Sequence, residues 1–222
     1  MPKVFLSAGH GGTDPGAVGY GLKEKDINLN IMLACNEVLI RHGVNTVLSR
    51  SKDENDPVSQ EVNEANASKA DIAVSFHTNA GKGDGSETWY SKGSDKGSML
   101  ASLCEKHVRA IGQNSRGIKP STTLWFVKAT TMPAVICECA FIDNDVDNDI
   151  IDTTAEQKAF GVAYAKAILN YFGIGFIDEY KSNSNPEKKY IVQAGAFSDK
   201  AAATERCEKI KAAGFDAFVK AM

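Results

Sequence analysis

The chain contains no long apolar run. Its most apolar segment, residues 159–177, is interrupted by Lys166 and Asn170 and punctuated with glycine, which excludes a membrane span there. The opening residues, Met1-Pro2-Lys3-Val4-Phe5-Leu6, lack the basic region, extended apolar core and small-residue cleavage site of a secretory signal. Synthesis in the cytoplasm is the expectation. The five cysteines, Cys35, Cys104, Cys137, Cys139 and Cys207, are odd in number and lack C-x-x-C spacing. Reduced thiols are therefore expected instead of a disulfide framework. A strong charge of either sign is also missing: the formal net charge of −3 over 222 residues argues against a general nucleic-acid binder. What remains is the composition of a soluble globular protein, with room for one ordinary domain and something small besides.

The pattern that is present alternates short apolar runs with amphipathic stretches. Strands are predicted over residues 4–6, 44–48, 71–77, 124–128 and 133–139, with a short one, an edge candidate, over 87–90. Helices are predicted over 22–42, 57–70, 99–111 and 155–172. Gly43 reads as the stop of the first helix, and Asp56 ahead of Pro57 as the N-cap of the second. This alternation predicts an α/β fold, a mainly parallel twisted sheet covered by helices on both faces. Residues 181–189, Lys-Ser-Asn-Ser-Asn-Pro-Glu-Lys-Lys, are polar and linker-like. Three segments follow: a main domain over 1–174, a linker over 175–189, and a small βαβ unit over 190–222. That unit has strands at 190–194 and 215–220 around a helix at 200–213, and is too small to be comfortable alone.

Two strands end in histidine. The first runs into Gly9-His10-Gly11-Gly12-Thr13-Asp14-Pro15-Gly16 and the third closes on Ser75-Phe76-His77. The glycine spacing fails the dinucleotide fingerprint, because Asp14 stands where its third glycine would be, and no Gly-Lys-Ser/Thr follows. In a parallel sheet both imidazoles emerge at the same edge, beyond the carboxyl ends of the strands. Two imidazoles and a carboxylate with an open position make a catalytic zinc site. Glu24, at the start of the first long helix, is the candidate carboxylate; Asp26 competes, and either could sit there for its helix-dipole interaction alone. Glu138 falls in the apolar stretch Pro133-Ala134-Val135-Ile136-Cys137-Glu138-Cys139-Ala140-Phe141. A carboxylate there needs a cleft, a cation or a proton-transfer role, or else a structural ion pair. Cys137 and Cys139 alternate along that strand and read as packing residues. Arg50, just past the second strand, either reaches the site or is solvated. His42 and His107 are flanked by charged residues on helices and read as surface residues.

Residues 3–172 resemble the zinc-dependent N-acetylmuramoyl-L-alanine amidases of the amidase-3 type, found in bacterial cell-wall hydrolases and phage endolysins. The matching pieces are Ala8-Gly9-His10-Gly11-Gly12, Lys23-Glu24-Lys25-Asp26-Ile27-Asn28-Leu29, Ala65-Asn66, Ala70-Asp71, Ser75-Phe76-His77-Thr78-Asn79-Ala80, and Pro133 through Glu138 to Phe141-Ile142-Asp143-Asn144. The resemblance implies zinc ligands His10, Glu24 and His77, so it selects Glu24 over Asp26, and it implies Glu138 as the catalytic glutamate. Asn79 and Arg50 are the candidate substrate contacts, and the stretch 81–97, with Trp89 and Tyr90, resembles the family's glycine-rich, aromatic segment and is expected to shape the groove. Two departures stand out: Glu61 where the family often has arginine, and Ser-Phe-His where Ser-Ile-His is more usual. Residues 190–222 resemble the first half of a SPOR domain, a peptidoglycan-binding repeat of two βαβ units. Either the chain is cut short of the second unit, or two chains complete one domain as a homodimer that buries the exposed strand edges.

The implied reaction is zinc-assisted hydrolysis of the amide joining N-acetylmuramic acid to L-alanine of the stem peptide. The implied partner is peptidoglycan, with neither nucleic acid nor membrane insertion. A phage endolysin released through a holin is the expected setting, with a chromosomal autolysin freed by mother-cell lysis as the alternative. A non-catalytic wall-binding protein and a metallohydrolase of small amides are the competing functions.

Overall fold

The computed structural model of the chain describes residues 1–178 and 198–212. The chain divides into two units, Met1–Ile177 and Asp178–Met222. In the first unit the elements run β1 (Lys3–Ala8), β2 (Val18–Gly19), β3 (Leu22–Lys23), α1 (Glu24–Arg41), β4 (Asn45–Leu48), α2 (Val58–Ser68), β5 (Ile72–Asn79), β6 (Ser86–Ser91), α3 (Asp95–Arg109), β7 (Ser115–Ser121), α4 (Trp125–Ala129), β8 (Ala134–Phe141), α5 (Asp145–Asn148) and α6 (Thr154–Tyr171). In the second unit the described element is α7 (Lys200–Ala212). The strands predicted over 190–194 and 215–220 and the polar stretch 181–189 lie outside the described residues.

The main sheet has the order β4-β1-β5-β8-β6-β7. β1, β4, β5 and β8 are mutually parallel, as the strand–helix alternation predicts. β6 runs antiparallel to β8 and parallel to β7, so the last two strands are reversed. β6 is therefore an inner strand, and the edge belongs to β7, which the sequence pattern did not mark. Pro120 and Gly117 demote that segment as a strand, and an edge position is where a proline is tolerated. Residues 124–128, read as a strand from their apolar character, form α4 instead; a short apolar run has no period to separate the two. Asp56 does not cap α2, whose N-cap position is Pro57, with no side-chain cap bond.

Side chains alternate across the sheet, and the two faces are covered unequally. Val4, Leu6 and Ala8, Val74 and Phe76, and Val135, Cys137 and Cys139 face the larger core, closed by α1, α3 and α6. Phe5, Ala73, Ala134 and Ile136 face a smaller core under α2 and α4. Beyond Phe5, Ala73 and Ile136, the same face carries Ser7, Ser75, His77 and Glu138. Ser7 and Ser75 are buried, with Glu61 of α2 against Ser7, and the face opens only at the half-buried His77 and Glu138. All five cysteines are free. Among the described residues no helix is long and apolar enough to cross a membrane.

Candidate active site

His10 follows β1 in a left-handed conformation, φ 65°. The Gly9 amide donates to the Phe76 carbonyl at 3.0 Å, which continues the pairing of β1 with β5 past the strand end. Gly9 also lies against the His77 ring: a Cβ there would come within 2.1 Å of Cε1. A side chain at either Gly9 or Gly16, where a Cβ would meet Glu24 Oε2 at 2.6 Å, would separate the groups of the site.

Glu24 is the first residue of α1, where a carboxylate meets the positive end of the helix dipole. Its Oε2 lies 3.2 Å from His10 Nε2 and its Oε1 lies 3.0 Å from His77 Nδ1. The carboxylate also accepts hydrogen bonds from the backbone amides of Ala17 (2.9 Å) and Thr78 (3.1 Å) and from Asn28 Nδ2 (3.3 Å). Burial opposes its charge, but the hydrogen bonds to His10 and His77 outweigh it and hold the carboxyl well below its ordinary range. The hydrogen bond to Glu24 pushes the His10 imidazole up to about 9. For His77, burial disfavours the charged ring, but the bond to Glu24 and nearby carboxylates raise it. The ring centroids of His10 and His77 are 5.2 Å apart, and the donor atoms of His10, Glu24 and His77 all lie within 4.8 Å of one another. Two imidazoles facing one carboxylate at this distance fit a divalent cation, which would replace the shared protons. Asp26 is exposed and outside this cluster.

Two supporting residues were not singled out from the sequence. Asp14 Oδ2 sits 2.8 Å from His10 Nδ1, and Asn28 ties Gly9 O to the Thr78 hydroxyl. Both stand four residues from a named group, Asp14 from His10 and Asn28 from Glu24, and that spacing was the available signal. Such partners orient metal-ligating histidines and carboxylates.

Glu138 is paired in register with His77 on the neighbouring strand and with Glu87 on the other side. The three side chains therefore share one face, next to each other. The Glu138 carboxylate has no hydrogen-bond partner among the described residues. Burial pushes it up to about 7; His77 opposes this, and the charges of Glu24 and Glu87 reinforce it. Asn79 is half-buried, and its amide nitrogen donates to Glu87 Oε1 at 3.2 Å. Arg50 departs from its expected place in the groove. It is 2 % exposed, and its guanidinium donates to the carbonyls of Ala8, Lys25 and Lys52. It braces the loops behind the site. Glu61 is buried at 3 % exposure, so the departure there does not alter surface charge; its carboxyl is pushed up by burial and lies against Ser7 of β1.

The profile of the N-acetylmuramoyl-L-alanine amidase family, amidase-3, matches residues 4–170. The chain belongs to that family. A second profile, the SPOR domain, matches residues 164–221. The sporulation-specific N-acetylmuramoyl-L-alanine amidase of Bacillus subtilis is 31% identical over 99% of this chain and 84% of its own length. The endolysin of Bacillus phage SPP1 is 37% identical over 72% of the chain and 64% of the endolysin. Among solved structures, the catalytic domain of CwlV, an N-acetylmuramoyl-L-alanine amidase from Bacillus (Paenibacillus) polymyxa, superposes with a TM-score of 0.73 at 30% identity. That match covers 79% of this chain and all of the CwlV domain.

Proposed function

We propose that this amidase-family chain hydrolyses the amide between N-acetylmuramic acid and L-alanine in peptidoglycan, with zinc held by His10, Glu24 and His77 and with Glu138 as the proton carrier. The observation that carries the reading is the row itself: three donor atoms within 4.8 Å of one another, and a carboxylate without a fixed partner on the adjoining strand. When bound, the zinc ion supplies a Lewis acid to the scissile carbonyl and to the attacking water.

The residues of the chain do the rest. Asp14 takes the Nδ1 hydrogen bond of His10 and leaves Nε2 facing the cluster. Asn28 and the amides of Ala17 and Thr78 keep the Glu24 carboxylate oriented. Glu138, with a carboxyl poised near neutrality, accepts a proton from the attacking water and returns it to the nitrogen of the departing alanine. The products are the muramic carboxylate and a free L-alanine amino terminus.

Residues 1–174 form the catalytic part in this reading, 175–189 a linker, and 190–222 a wall-binding SPOR-like unit. Of the two settings, the B. subtilis sporulation amidase aligns with 99% of the chain and the phage endolysin with 72%. That difference supports a bacterial autolysin over a phage endolysin.

The test is release of alanine amino termini from purified peptidoglycan, with chelator and with zinc added back. Release confined to the metal-replete sample is expected. New reducing sugar in place of amino groups would replace the amidase reading with a glycosidase, and release that survives verified zinc removal would remove the metal from the mechanism.

A further inference from the structure

The polar row on the open face of the sheet does not stop at Glu138. Glu87 lies next in line on β6, in register with Glu138. It is nearly buried, and two cations share its Oε2: Arg116 Nε at 2.8 Å and Lys119 Nζ at 2.5 Å, both from β7. Its other oxygen accepts from Asn79 Nδ2 and Trp89 Nε1, each at 3.2 Å. The two bases are also braced by aromatic rings, Arg116 over Phe141 at 5.0 Å and Lys119 over Trp89 at 5.3 Å. One carboxylate thus faces two fixed positive charges, and a surplus positive charge is left at the end of the row. Only Nε of Arg116 is engaged. Its two terminal amino groups have no partner among the described residues, and its side chain is 40 % exposed. The guanidinium fork is thus presented to solvent at the end of the row.

We propose that Arg116, supported by Lys119, binds the first free carboxylate of the stem peptide beyond the scissile amide and so selects substrates that carry it. The inference rests on the amidase reading. In that substrate the muramic carboxyl is consumed in the amide being cut, so the glycan side offers no anion and the stem peptide does. Neighbouring strands are about 5 Å apart, so β7 lies roughly 10 Å from the Glu138 strand. An extended peptide covers that in about three residues at ~3.5 Å each, and less once the length of the arginine side chain is counted. The carboxylate addressed is accordingly on the second or third residue of the stem. A planar fork donates to both oxygens of a carboxylate, and a carboxamide offers it only one oxygen.

The experiment compares two muropeptides that differ only in whether that carboxyl is free or amidated. With wild-type protein, kcat/KM is expected to be about tenfold higher for the free acid, through KM and not kcat, which is the effect of one charge-assisted hydrogen bond of ~1.5 kcal/mol. R116Q, in which Lys119 still pairs with Glu87, should bring the ratio to about one; R116K should recover only part of it. Equal KM values for the two substrates in the wild type, or an R116Q loss of the same size on both, would overturn the proposal. If neither muropeptide is cut by the wild type, the amidase reading fails by itself. Calorimetric binding of the same pair to the wild type then decides the carboxylate site, with equal affinities overturning it.

Discussion

Glu24 and Glu87 are both nearly buried carboxylates at the same end of the sheet, each touched by two basic side chains. The partners differ in one property. The imidazoles of His10 and His77 can give up a proton to an incoming cation and present lone pairs, so the Glu24 cluster can take one in. The guanidinium of Arg116 and the ammonium of Lys119 stay charged, so the Glu87 cluster keeps a surplus positive charge and suits an anion. Glu138 stands on the strand between them with neither kind of partner, and burial pushes its carboxyl up to about 7. Three buried acids of one sheet end are thus set apart by the partners each is given.

The largest effects should come from Glu138 and from the proposed metal cluster. E138Q and H77A are both expected to lower alanine release by at least about 10²-fold, the scale of lost general acid–base catalysis. Only H77A should lose its zinc, read by metal analysis of purified protein; zinc loss in E138Q as well would mean that the two roles are not separate.

A smaller effect is expected at the other end. The Glu87 carboxyl is opposed by burial but held below its ordinary 4.5 by Lys119 and Arg116. A carboxyl depressed in the folded state adds stability that is fully present above 4.5 and is lost as the pH falls through its lower folded value. E87Q should therefore cost about 1–2 kcal/mol at neutral pH, discounted for partly exposed partners. Its stability should also fall less steeply than wild type below pH 4.5, as thermal unfolding across pH will show. A parallel decline would mean that the ion pairs add nothing.

The smallest effect lies outside the row. Ser94 caps α3 by accepting the Gly97 amide at 3.0 Å. S94A should lower stability by about 1 kcal/mol with alanine release per folded molecule unchanged, which separates loss of fold from loss of chemistry.

Glu24 was legible as a carboxylate at a helix start, but its choice over Asp26 came from family resemblance. In the structure, Glu24 is turned in and Asp26 is exposed. Glu138 was legible because a lone acid in an apolar strand must have a reason to be there. Arg116 and Lys119 were not, because their segment carries a glycine and a proline and reads as a loop. Its being the edge strand next to β6 is a matter of long-range pairing. Arg50 misled for a related reason: a charged residue after a strand looks available until the carbonyls around it are known.

The sequence by itself determined the periodicities, the strand-ending histidines and the buried acid, since burial patterns and glycine breaks are local properties of the chain. Only the tertiary structure, through long-range pairing, decided that β6 and β7 run backwards and that His77, Glu138 and Glu87 fall in one line. The physical reason is register. Which side chains become neighbours across a sheet depends on hydrogen bonds between strands dozens of residues apart, and no local pattern contains them.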